Sequence, residues 1–123
     1  MKRDFTYVDD NVEGVDREMG KLPENKLEWH RNRPDPGTSA APYKIYNIGN
    51  NRPVELKAFI AAIEAALGKP AKKEMRDMQP GDVPATFADI DDLARDVGFR
   101  PDTPLETGIQ RFVDWYKKYY RIN

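Results

Sequence analysis

The clearest pattern in the chain is an apolar stripe at Leu56, Phe59, Ile60, Ile63 and Leu67. Spacings of three and four residues line one side of a helix. Ala61, Ala62, Ala65 and Ala66 fill the intervening positions with the strongest helix former. Pro53 suits a first helical turn, Gly68 a C-terminal cap and Pro70 a stop, so a helix is predicted between them. A second stripe, Leu105, Ile109, Phe112, Val113 and Tyr116, follows Thr103-Pro104-Leu105-Glu106. Threonine as cap, proline next and glutamate three residues after the cap make a capping box. Ile90, Leu93 and Val97 mark a shorter helix, capped by Asp89 or Asp91 and ended by Gly98. Near the start, Val12, Val15 and Met19 share one side of a helix of roughly residues 10 to 20, capped by Asp9 or Asp10. Three apolar residues are few, so this helix needs a neighbour to be stable.

Shorter alternations predict strands. Phe5-Thr6-Tyr7-Val8 is rich in aromatic and β-branched residues, and Ile45, Tyr46 and Ile48 mark a second strand, ended by Gly49 and two asparagines. Ala71 to Met78 reads as a weak edge strand because of its charges. Strand, helix, strand in this order suggests a small parallel βαβ unit. Residues 21–43 have no period and hold Pro23, Pro34, Pro36, Gly37 and Pro42, the mark of an irregular excursion from the body. Trp29 within it is expected to pin it down. Met78 to Asp89 packs Pro80-Gly81 and Pro84 between two periodic segments. Proline presets φ and glycine accepts a positive φ, so a rigid turn is expected at Pro80-Gly81. It is either a surface turn leading into a helix or a loop that points Gln79 and Asp82 at a ligand.

Composition narrows the chemistry. With 20 basic and 21 acidic residues, the chain has no positive excess for nucleic acid or a membrane surface. Lys117, Lys118 and Arg121 near the end are ordinary complements to a helix dipole. No apolar run approaches the ~20 residues of a membrane span, and no leader pattern opens the chain, so the expected setting is cytoplasmic. The chain has no cysteine and one histidine, His30, which argues against thiolate catalysis and transition-metal sites. Ser39 is the only serine, and a Ser-His-Asp triad built from it and His30 is improbable. The eight glycines match no dinucleotide or P-loop spacing.

Four segments, in order, carry a resemblance. They are Arg3-Asp4-Phe5-Thr6-Tyr7-Val8-Asp9-Asp10, Tyr46-Asn47-Ile48-Gly49-Asn50, Gln79-Pro80-Gly81-Asp82-Val83-Pro84-Ala85-Thr86 with Ala88-Asp89, and Pro104-Leu105-Glu106-Thr107-Gly108-Ile109. The chain resembles the C-terminal part of extended short-chain dehydrogenase/reductases, the NAD-dependent nucleotide-sugar epimerases, and within them the UDP-glucuronate 4-epimerase group. The resemblance implies an α/β fold: a small substrate-binding lobe over residues 1–123, with short, partly parallel strands and about four helices. It implies that the N-terminal NAD-binding Rossmann domain is absent, the chain opening at an internal methionine. In the family that domain holds NAD, and a Tyr-x-x-x-Lys pair oxidises and re-reduces the sugar. None of the six tyrosines here has lysine four residues on, so the resemblance implies no cofactor site and no turnover in this chain alone.

By the same resemblance, the partner is a UDP-sugar. Arg3 would contact the diphosphate, Asp82 would accept hydrogen bonds from the ribose, and Val54, at the start of the helix after the Asn-Ile-Gly loop, would pack on the uracil. Gln79 stands where many relatives carry a diphosphate-binding arginine, which leaves more of the charge to Arg3. A salt bridge from Arg3 to Asp4 or Asp10 is the competing structural role. The missing Rossmann domain, or a second copy, would cover an exposed apolar face.

Overall fold

The computed structural model describes residues 1–122. Four helices form: α1 Val8–Met19, α2 Leu56–Leu67, α3 Asp91–Val97 and α4 Leu105–Tyr120. Two strands of two residues accompany them, β1 Lys2–Arg3 and β2 Val54–Glu55. Helix α2 packs along α4. The buried apolar residues are Ile90 and Leu93, around the start of α3, and Ile109 and Val113 on α4. The helices end as their glycines require: Gly68 and Gly98 take positive φ of 67° and 69° and donate their N–H groups back into the last turn.

The sheet is small and mixed. β1 runs antiparallel to β2, with Lys2 opposite Glu55 and Arg3 opposite Val54. On its other side Lys2 pairs in parallel with Ala85, donating to the Pro84 carbonyl at 2.8 Å and accepting from the Thr86 N–H at 3.2 Å. Partly parallel pairing is therefore present, but not as a βαβ unit of long strands.

Several boundaries differ from the sequence-based expectation. Phe5 to Val8 is not a strand: the Phe5 ring stacks on Phe59 of α2, centroids 4.0 Å apart, and the helix has begun by Val8. Asp9 and Asp10 then lie in the first turn of α1, where they suit its dipole, rather than at its cap. Tyr43 to Asn50 makes only the isolated bridge Thr38–Lys44; farther along, side-chain amides replace a ladder, Asn47 bonding the Asp89 carbonyl at 3.3 Å. Ala71 to Met78 stays irregular and exposed, tied to the body near its start by Glu64, which accepts from the Ala71 N–H at 2.7 Å and pairs with Lys73. Pro53 precedes β2 instead of opening α2, whose N-cap is Glu55. The capping box does not form: the Asp10 carboxylate takes both the Thr103 N–H, at 3.1 Å, and its hydroxyl, at 2.8 Å. Helix α4 therefore starts from Pro104 with no side-chain cap.

Candidate functional site

The turn at Gln79–Asp82 forms as its residues dictate. Gly81 adopts φ 89° and the Asp82 N–H donates to the Gln79 carbonyl at 3.1 Å, the geometry of a type II turn with Pro80 first. Just beyond it the chain runs beside β1 through the Lys2–Ala85 bridge. This brings Asp82 to Arg3, and the two side chains form an ion pair through Nη2 and Oδ1. Arg3 Nη1 donates to the Val83 carbonyl at 2.9 Å and to the Lys2 carbonyl at 3.0 Å. Val54 stands opposite Arg3 in the β1–β2 register and is half-buried.

Three of the four expected site residues, Arg3, Val54 and Asp82, thus meet around β1. Val54 reaches it from a strand, not from a helix start. Gln79 lies exposed at the head of the same turn and holds the turn through its carbonyl. The partner of Arg3 is neither Asp4 nor Asp10 but Asp82, from 79 residues away. A guanidinium has five N–H donors. Two carbonyls and one carboxylate oxygen occupy three of them, which leaves Nε–H and one Nη2–H for an anion.

Sequence reasoning missed two residues that build this place. The half-buried Asp4 carboxylate accepts from the Asn51 N–H at 2.9 Å, the Ala88 N–H at 3.1 Å and the Arg52 N–H at 3.4 Å. Asn50, 9% exposed, donates its amide to the carbonyls of Phe5 and Thr103 at 3.4 and 3.3 Å. The Asn-Ile-Gly-Asn motif held the available signal. At Gly49 a Cβ would stand 2.4 Å from the Ala88 Cβ and 2.9 Å from Asp4 Oδ2, so only glycine lets these segments close together.

A second polar group joins the segment just after the excursion to α3. Lys44 Nζ pairs with Asp96, and with Asp92 at 3.4 Å, while the Tyr46 hydroxyl donates to Asp96 at 3.1 Å. The lysine hydrogen bond holds the Asp96 carboxyl below its usual range, and an Arg95 hydrogen bond does the same for Asp92. Burial works against the Lys44 ammonium, yet its bonds to the two aspartates carry its pKa upward. A cavity of about 460 Å³ lies between this cluster and residues 21–26. Trp29 donates only within the excursion, to the Asp35 carbonyl at 3.4 Å.

Gly68 and Gly98 close helices, Gly81 makes a turn and Gly49 fills a close approach, so none of these four opens a helix. Among the described residues no group of three or more acidic or histidine side chains could hold a metal ion. No described helix is long and apolar enough to cross a membrane.

The fold defines the class: the structure matches the C-terminal part of Rossmann-type epimerases. Protein CapI of Staphylococcus aureus is 55% identical over 121 residues, 98% of this chain and 36% of that protein. A probable UDP-glucuronate 4-epimerase of Rhizobium meliloti is 43% identical over 125 residues, again 98% and 36%. UDP-glucuronate 4-epimerase 1 of Arabidopsis thaliana is 39% identical over the whole chain and 28% of its own length. Among solved structures, a point mutant of Bacillus cereus UDP-glucuronic acid 4-epimerase, in complex with UDP-4-deoxy-4-fluoro-glucuronic acid and NAD, superposes with a TM-score of 0.70. It is 25% identical and covers 95% of this chain and 32% of that one. Bifidobacterium longum UDP-glucose 4-epimerase, 20% identical with a TM-score of 0.72, shares the fold over 94% of this chain and 30% of that one. No family model matches the chain. The chain therefore matches the C-terminal portion of UDP-glucuronate 4-epimerases and related epimerases, and spans about a third of the length of these relatives.

Proposed function

We propose that this chain is the UDP-sugar-gripping part of a UDP-glucuronate 4-epimerase-like enzyme, in the cytoplasmic synthesis of a capsule or envelope polysaccharide. The observation that carries the reading is the meeting of Arg3, Val54 and Asp82, far apart in sequence, around one two-residue strand. The two spare N–H donors of Arg3 suit a phosphate oxygen. The Asp82 oxygen not engaged by Arg3 accepts from ribose hydroxyls, Val54 offers an apolar contact to the base, and Gln79 adds a neutral contact. On this reading the chain binds substrate and leaves oxidation and re-reduction of the sugar to residues outside these 123, where NAD supplies the hydride chemistry.

Calorimetric titration with UDP and UDP-glucuronate tests this. Binding that is lost in Arg3→Gln and weakened in Asp82→Asn is expected. No heat up to millimolar ligand overturns the reading.

The exposed apolar face of α1 favours a companion reading, in which the lobe completes its fold against a Rossmann domain supplied separately, or against a second copy. Val12, Val15 and Met19 are 62%, 49% and 70% exposed, on one side of the helix. An apolar cavity of about 340 Å³ lined by Phe5, Tyr7, Phe59 and Phe112 lies elsewhere on the surface. Mixing the chain with the N-terminal two-thirds of a relative is expected to restore epimerisation; a mixture as inactive as either part argues against complementation.

A further inference from the structure

We propose that Asp4 is the positioning residue of the candidate site, the group that holds Arg3, Val54 and Asp82 at their working separations. This rests on the UDP-binding reading above. Three segments bring the site together: β1, the loop 49–52 that feeds β2, and the strand-like run 83–88 that follows the turn. All three converge on one carboxylate. Asp4 is the neighbour of Arg3, and it accepts from Asn51 at 2.9 Å and Arg52 at 3.4 Å, just ahead of Val54. It also accepts from Ala88 at 3.1 Å, six residues beyond Asp82. Asn51 is held at φ 53°, a backbone state that asparagine tolerates better than most residues but does not prefer. The Asp4 bond to its N–H is what repays that conformation.

The physical reason for a carboxylate here is the number of donors. Backbone N–H groups in partly buried loops need acceptors, and a charged oxygen makes roughly twice as strong a bond as a neutral one. Oδ2 serves two segments at once, and Gly49 leaves the space that lets it do so, since a Cβ there would lie 2.9 Å from this oxygen. The two-residue β1–β2 ladder is too short to fix the spacing of the loops on either side of it. Without Asp4 the 49–52 loop and the 83–88 run keep this ladder, the Lys2 bridge, the Arg3 contacts and the Asn50 bond to the Phe5 carbonyl at 3.4 Å. The Arg3–Asp82 geometry then loosens.

The test uses the full chain with UDP as probe, below the thermal transition of every variant. Asp4→Ala is expected to weaken UDP binding at least tenfold while the helical circular dichroism is kept. Asp4→Asn, which retains one acceptor oxygen for Asn51 and Ala88, is expected to stay within about threefold of the starting protein. In an Asp82→Asn background the extra loss from Asp4→Ala is expected to shrink to a few-fold, because part of the Asp4 effect passes through the placement of Asp82. An unchanged affinity in Asp4→Ala, or an equal tenfold loss in both backgrounds, overturns the proposal. A ligand-free measurement separates it from the binding reading: amide exchange at Asp82 and Thr86 is expected to quicken in Asp4→Ala but not in Asp4→Asn. Unaltered exchange overturns the positioning role whether or not UDP binds, whereas absent UDP binding with quickened exchange overturns only the binding reading.

Discussion

Helices α1 and α4 are both amphipathic, yet they use that pattern in opposite ways. On α4 the centre of the stripe meets the chain itself: Ile109 and Val113 are 7% and 3% exposed on the helix that packs along α2, while Phe112 beside them stays 56% exposed. On α1 the stripe of Val12, Val15 and Met19 faces outward, and the residue that α1 buries is Gly14, where Ile48 sits against its backbone. Apolar periodicity reports that a helix has a side to bury, not that the cover lies in the same chain. α1 is therefore docked by its thin edge and by polar bonds, Asp10 with Thr103 above all, while its apolar side stays exposed.

The largest expected effect tests the α4 half of this contrast. Ile109→Ala removes a buried side chain and is expected to cost about 3 kcal/mol in urea unfolding. Val12→Ala is expected to change stability by less than about 0.5 kcal/mol. Its effect belongs in association: Val12→Asp combined with Met19→Asp should lower self-association in sedimentation, if a second copy covers this face. Equal stability losses at 109 and 12 would break the comparison, because they would mean that α1 is covered within the chain.

The next effect is smaller and concerns the edge by which α1 is attached. A Cβ at Gly14 would lie 3.0 Å from the Ile48 Cδ1 atom and 3.2 Å from its Cγ2. Gly14→Ala gains about 1 kcal/mol of helix propensity but crowds a packed contact, at a typical cost of 1–3 kcal/mol. A net loss of about 1 kcal/mol is expected, recovered by pairing it with Ile48→Val. Net stabilisation by Gly14→Ala alone would show that α1 slides freely on Ile48.

What was legible in the sequence follows the same division. Helix α2 and the glycines that end α2 and α3 were readable because their causes lie within a turn or two of the residues concerned. So was the Pro80-Gly81 turn, whose φ at Gly81 and bond from Asp82 to Gln79 are local. The strands were not. Two-residue ladders leave almost no alternation to read, and their register comes from contacts more than 50 residues apart, Arg3 with Val54 and Lys2 with Ala85. The capping box failed for a related reason: a local motif at Thr103 was outbid by Asp10, 93 residues earlier. The Asn-Ile-Gly-Asn motif marked the place of Asn50, but the roles of Asp4 and Asn50 were not readable locally, since each acts on backbone groups brought in from elsewhere. The meeting of Arg3 with Asp82 was expected only as two separate ligand contacts, and their direct pairing came from the fold.

The smallest effect probes the other polar attachment, which joins the segment just after the excursion to α3 through Lys44 and Tyr46. Asp96 and Asp92 have pKa values below the ordinary 3.8, Asp96 first through Lys44 and Asp92 first through Arg95. A depressed carboxylate contributes stability above its unfolded pKa and loses it as pH falls through the folded one. Lys44 is shifted upward from 10.5 despite its burial, so its contribution is whole below that value and fades as pH rises through the raised one. The attachment is thus intact across neutral pH and opens at both ends, below about pH 4 and above about pH 10.5. The protection of the Ile45 and Thr38 amides, which bond to the Gly37 and Asp35 carbonyls, should fall in both directions once exchange is corrected for its intrinsic pH dependence. Lys44→Met should lower that protection at neutral pH and flatten its alkaline fall. A profile unchanged by that substitution would place the hold on this segment elsewhere, and would make the apolar contacts of the body, not its ion pairs, the sole anchor of the excursion.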